Sequence, residues 1–334
     1  MSIKSAWLPV IALVWAGCNG QQTSSPYAEL LSKPPYAAIT DSITQNGADP
    51  DLYYRRGVLL MKNNNDLPAI ADLDHAWKLR QRESYAIALS NALGDAHVDS
   101  LTRFLEHAAS LYPNSLAIHL SLIQAYADAR KTNEALALCD SFLERRPESP
   151  GILMMKADLL QERNDTGGSI TTLERARVYA PGNEELCFSL AFKYAQAREA
   201  RCIGLCDSLI RQDSADRRPE PFYFKGVYFS NIGESSKAIA MFDQAIATDY
   251  SFLDAYMEKG KLLHDSGKFV DALKVFRLAT TVSPTFADAY FWQAKCEAGL
   301  GKKDEAALDY DRAYGLDKTM TEARDAAAKL RAAH

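Results

Sequence analysis

Beyond its N-terminal segment, the 334-residue chain has no apolar run that could cross a bilayer, which takes about 20 residues. It also has little excess charge. Its 38 Lys and Arg against 43 Asp and Glu leave a net charge of −5, with the two signs interspersed. Without a basic patch or stripe, nucleic acid is not an expected partner. Cysteine is scarce. Cys18 stands apart near the start, and the other five of the six are an odd number, which excludes a complete disulfide framework. The histidines, His75, His97, His107, His119, His264 and His334, form no metal-ligand spacing on one helix. There is no glycine-rich phosphate loop and no nucleophile elbow. Cys202 and Cys206, one helical turn apart, read either as a redox or metal pair or as two small core residues. Free cysteine behaves as a small hydrophobe, and this favours the core. No enzymatic activity, cofactor or metal is expected.

What is present begins with Lys4 and the apolar segment 6–16, which fits the h-region of a secretory signal peptide. Ala16-Gly17-Cys18 follows and resembles the lipobox of bacterial lipoproteins. That resemblance implies removal of residues 1–17 and a diacylglycerol on the Cys18 sulfur, with the membrane a partner through the lipid. An ordinary signal peptide cut elsewhere is the alternative. Residues 18–34 open with Asn-Gly-Gln-Gln-Thr-Ser-Ser after Cys18, too polar to bury a core, and are expected to be a lipidated tether. Asn19, where enterobacterial lipoproteins retained in the inner membrane carry aspartate, implies the outer membrane, facing the periplasm.

The body of the chain repeats every 34 residues. In segments 219–252, 253–286 and 287–320, an aromatic recurs at position 4 (Phe222, Tyr256, Tyr290) and a small residue at 8 (Gly226, Gly260, Ala294). Glycine recurs at 15 (Gly233, Gly267, Gly301), alanine at 20 and 27, and an aromatic at 24 (Phe242, Phe276, Tyr310). This pattern resembles the tetratricopeptide repeat. Weaker copies occupy 50–81, 82–115, 116–149, 150–183 and 184–217. The resemblance implies an all-α fold, a right-handed superhelix of about eight helix-turn-helix repeats. Helices A and B of each repeat are expected to approach where positions 8 and 20 meet. An N-terminal helix is expected over 35–49 and a capping helix over 321–334, the latter opened by a Thr319–Glu322 capping box. Leu89 and Leu101 fill positions 8 and 20 of the second repeat, so its helices should splay, and the charged, proline-containing stretch 213–221 should form a bend.

In this fold, positions 2, 5, 9 and 12 of helix A line the concave face. Position 5 reads Tyr54, Ala86, Leu120, Met154, Phe188, Tyr223, Met257 and Phe291, and position 9 adds Val58, Phe192 and Val227. A contiguous exposed apolar stripe marks a binding site. Close superhelical packing would instead bury these residues. The acids at position 2 (Asp51, Glu83, Glu185, Glu220, Asp254, Asp288) read either as an edge for a basic partner or as first-turn acids that complement the helix dipole, and the second reading is the stronger. The family's carboxylate clamp needs Lys at 5 and Asn at 9, and only Lys261 and Lys295, both at 9, come near it. The expected function is a non-enzymatic, lipid-anchored scaffold of the cell envelope that binds peptide or helical segments of partner proteins in its groove. The alternatives are a binder of a small ligand or glycan and, last, an enzyme with an unrecognised site.

Overall fold

The computed structural model describes residues 26–94, 98–212 and 218–332. Cys18, the signal segment and the first part of the expected tether lie outside these residues, as does most of the expected bend. The described residues are helical and fall into two compact units divided after Tyr112.

The first unit contains α1 (Ala28–Leu31), α2 (Ala37–Gln45), α3 (Pro50–Lys62), α4 (Asp66–Leu79), α5 (Glu83–Leu93) and α6 (Val98–Leu111). The tether expected over 18–34 is therefore folded in its last part. Leu31 and Tyr36 are buried with Leu60 and Ala69, and the Thr40 hydroxyl donates to the Leu31 carbonyl at 2.8 Å. Three apolar side chains, Tyr27, Leu30 and Leu31, follow the polar run, and they supply enough burial to end the tether early. The helix expected over 35–49 covers only Ala37–Gln45. Between α2, α3 and α4, Arg56 donates to both carboxylate oxygens of buried Asp72, at 2.6 and 2.7 Å, and to Thr40 at 3.0 Å.

The second unit begins with the pairs α7 (Leu116–Asp128) and α8 (Thr132–Arg145), α9 (Pro150–Glu162) and α10 (Thr166–Tyr179), and α11 (Glu184–Gln196) and α12 (Arg201–Gln212). It continues with α13 (Glu220–Asn231) and α14 (Ser235–Thr248), α15 (Leu253–Asp265) and α16 (Phe269–Val282), and α17 (Ala287–Gly299) and α18 (Lys303–Leu316). The last helix is α19 (Thr321–Ala332).

One device makes the turn within most pairs. Asn64, Arg130, Asn164, Arg198, Gly233, Gly267 and Gly301 all have φ between 56° and 81°. The following N–H then reaches back to the carbonyl three residues inside the helix, as from Asn65 to Leu60, Glu199 to Tyr194 and Lys302 to Glu297, at 2.8–3.0 Å. This is the six-to-one bond of a Schellman motif, which satisfies a carbonyl that the helix end leaves orphaned.

The close approach within a pair differs in detail from the expected meeting of positions 8 and 20. A Cβ on Gly226 would fall 2.5 Å from the ring of Phe242, and one on Gly260 would fall 2.4 Å from the ring of Phe276. The side chain at position 24 thus lies over position 8. Alanines at position 20, such as Ala69, Ala238, Ala272 and Ala306, are fully buried beside it. Cys202 and Cys206 take the equivalent places in α12, both fully buried, with sulfurs 3.8 Å apart. Cys187, Cys206 and the other three described cysteines are free and buried. In the second repeat Leu89 is buried, Leu101 only half so, and α5 is 11 residues long where its counterparts α3 and α7 have 13.

At the C-terminal end, Ala323 and Ala327 of α19 pack with Tyr310 and Ala313 of α18. The expected capping box is not formed. The Thr319 hydroxyl bonds to Asp317 at 2.7 Å instead, and the helix begins at Thr321.

Candidate functional site

The expected binding stripe is for the most part packed. Tyr54, in the first unit, is half-buried with its ring 5.0 Å from that of Tyr85, and Ala86 is fully buried. In the second unit Leu120, Met154, Phe188, Phe192, Tyr223 and Val227 are half-buried against one core cluster. The Phe224 ring is what they close on: it lies 6.1 Å from Phe188, 5.4 Å from Phe192 and 6.0 Å from Tyr223. Phe291 is half-buried 5.6 Å from Tyr310, with the Lys295 ammonium 5.0 Å above its ring. Met257 is only 5% exposed and so offers no contact surface, which corrects its assignment to the groove. Neighbouring A helices pack closely enough that a position expected to face solvent shares the core of the next repeat.

Three of the predicted residues nevertheless meet in one open cavity of about 790 Å³, namely Phe192 of α11 and Tyr223 and Val227, one turn apart on α13. Ile170 adds to its apolar floor. Polar groups converge on the same space from the helix ends: Gln161 from the last turn of α9, Thr166 from the start of α10, Gln196 and Glu199 from the end of α11 and its turn, Asn231 from the last residue of α13, and Glu258 from α15. Small-molecule and peptide sites combine an apolar floor with a few placed polar groups in this way.

The polar rim has a definite orientation. The Asn231 side-chain amide donates to the Ala195 carbonyl at 3.1 Å, which leaves its oxygen to accept. Gln161 Oε1 is shielded from solvent and has no hydrogen-bond partner. Glu258 Oε1 accepts from Lys261 at 3.1 Å, and Glu199 Oε2 from Arg201 Nε at 2.8 Å. Burial, reinforced by the negative charges of Glu258 and Asp254, holds the Tyr223 phenol well above its ordinary pKa, so it stays a neutral hydroxyl.

Gln161 occupies position 12, which the repeat geometry already turns inward. Asn231 and Gln196 sit at position 13, where the pattern gives no signal. Glu199 is the residue that closes the turn of α11, and its place in the wall follows from the backbone alone. The acids at position 2 stay outside the cavity: Glu185, Asp254 and Asp288 are exposed at helix N-termini. Among the described residues, no group of three or more metal-ligating side chains comes together, and no helix is long and apolar enough to cross a membrane.

Residues 225–285 match the family model described as tetratricopeptide repeat. No curated protein matches the chain in sequence. Among solved structures, a tetratricopeptide repeat protein from Parabacteroides merdae superposes with a TM-score of 0.57 at 19% identity, covering 73% of this chain and 96% of that one. PilW, a type IV pilus biogenesis factor, gives 0.51 at 17% identity over 62% of this chain and 94% of its own. Yeast Tom70 gives 0.50 at 15% identity over 95% and 66%. At such identities the likeness is one of fold.

Proposed function

We propose that the chain, whose residues 225–285 match the tetratricopeptide-repeat model, is a non-enzymatic scaffold holding a segment of a partner protein in the cavity between α9, α11, α13 and α15. Folds of this kind commonly serve as protein-interaction scaffolds, and that much comes with the family. The observation that carries the reading is the convergence of Phe192, Tyr223 and Val227 with an amide and carboxylate rim on one open space. We further propose that a lipid on Cys18 ties the scaffold to the envelope, on the outer membrane facing the periplasm. The lipobox-like Ala16-Gly17-Cys18 supports this, as does the polar run that precedes Ala28.

Replacing Val227 with a photo-crosslinking amino acid in the full-length protein tests the groove. Irradiation of native membranes should give a discrete adduct, with the crosslink mapped to one segment of the partner. The same probe at Val270, exposed on α16 and away from the cavity, should give none. Equal labelling from the two positions would rule out the groove as the contact site.

A further inference from the structure

The cavity wall has a chemical bias that its apolar floor does not explain. Its titratable carboxylates are Glu199 and Glu258, and no lysine, arginine or histidine lines it. The amides do not decide it, since those of Gln161, Gln196 and Asn231 can donate as well as accept, Asn231 having given one of its two N–H groups to Ala195, so the bias rests on the carboxylates. Each carboxylate is already bonded through one oxygen, Glu258 through Oε1 and Glu199 through Oε2, which leaves the other oxygen of each to accept. The Lys261–Glu258 pair is three residues apart on one helix, with both side chains more than a third exposed, so it yields readily to a better partner. Two carboxylates with no cation among the lining residues favour a cationic donor over an anionic group, and a buried acceptor left without a donor destabilises the complex.

We propose that the partner is an extended cationic segment of a protein, with an arginine or lysine side chain seated against Glu258 and Glu199 and a backbone N–H meeting the Asn231 side-chain oxygen. This rests on the groove reading above and adds the charge of the occupant. A cavity of about 790 Å³ is far larger than one side chain, so flanking residues of an extended chain fit the space beside the rings of Phe192 and Tyr223. A cation over an aromatic face gains further attraction where water is excluded. An acidic segment meets two carboxylates, and the cations beside them, Lys261 and Arg201, are already paired with those carboxylates.

The test uses the full-length protein and fluorescent peptides of equal length and matched hydropathy, which differ only in a central arginine, lysine, citrulline or glutamate. The arginine and lysine peptides should bind. Citrulline, the neutral isostere of arginine, should bind about tenfold more weakly, as loss of a charge-assisted bond implies, and glutamate weaker still. Glu258→Gln should weaken the arginine peptide about tenfold while leaving the helical signal and melting unchanged, since that side chain is half-exposed. Val227→Arg should block every peptide. If citrulline or glutamate peptides bind as well as arginine and Val227→Arg still blocks them, the groove stands and its charge selection is wrong. Arginine peptides that bind equally to wild type, Glu258→Gln and Val227→Arg bind elsewhere, which overturns the inference. Failure of all four peptides overturns both readings.

Discussion

Arg130 and Arg198 sit in the left-handed region, with φ of 57° and 61°, a conformation that costs a side-chain-bearing residue about 1–2 kcal/mol. Glycine relieves that strain but loses more entropy on folding. Arg198→Gly should therefore stabilise the second unit by about 0.5–1 kcal/mol, read as a higher denaturation midpoint, and Arg198→Val should lower it. The sequence signals this turn plainly only where glycine occupies position 15. Asn64 and Asn164 signal it more weakly, and at Arg130 and Arg198 the residue type hides it, so only the backbone reveals that the turn recurs there. Tyr223 shows the opposite failing. Its position suggested an inward-facing residue, and it does line the cavity, but the sequence could not say that its ring is also held 5.4 Å from Phe252 and 5.9 Å from Phe242. Tyr223→Ala should thus lower stability by about 2–3 kcal/mol, and a binding defect in that variant has to be judged against its melting curve. Val227→Arg is the cleaner probe of the cavity.

Between α17 and α18 lies a polar cluster that the repeat pattern gives no hint of. Glu297, 1% exposed, faces Asp309, 3% exposed. Gln293 donates to Asp309, Arg277 reaches Glu297 at 3.0 Å, and Arg312 reaches Asp309 at 2.9 Å. Burial first, and then the neighbouring charge of Asp309, raise the Glu297 carboxyl above its ordinary 4.5, with Arg277 opposing them. The folded state therefore holds a proton that the unfolded state releases. The protonated carboxyl contributes its full stability below 4.5, and that contribution is lost as pH rises through the higher folded value. Glu297→Gln keeps the shape and removes the titration. Its stability relative to wild type should climb as pH is raised from 4 and level off once pH passes the higher folded value, as measured by urea denaturation at each pH. A difference that stays constant across that range would show that the carboxyl titrates as it does in the unfolded chain. At the level of elements, pairing and the glycine-marked turns were legible because Gly, Ala and aromatic spacing encode close packing. The capping box and the early end of the tether were not, because Thr319 found a nearer partner in Asp317 and Leu31 found a core.

For the molecule as a whole, the lipid proposal makes a sharp prediction. Cys18→Ser should move the protein from the membrane pellet to the soluble fraction, and mass spectrometry of the wild type should find a diacylglyceryl cysteine. Unchanged partitioning with an unmodified Cys18 would dispose of the anchor. The repeat architecture was readable from the periodicity along most of the chain, whereas the candidate site was readable only in its apolar half, because its amides and carboxylates come from helix ends whose convergence depends on packing. Within each unit, helices pack substantially only on the next helix in sequence or the next but one. Load applied along the chain therefore meets no long-range clamp. A segment such as α13–α19, stretched between its ends, should yield as a train of small, low-force steps, each about one helix pair in length, and recoil along the same path. A body tethered at one end and gripping a partner near its middle would then behave as a shock absorber, able to lengthen under strain without letting go of either.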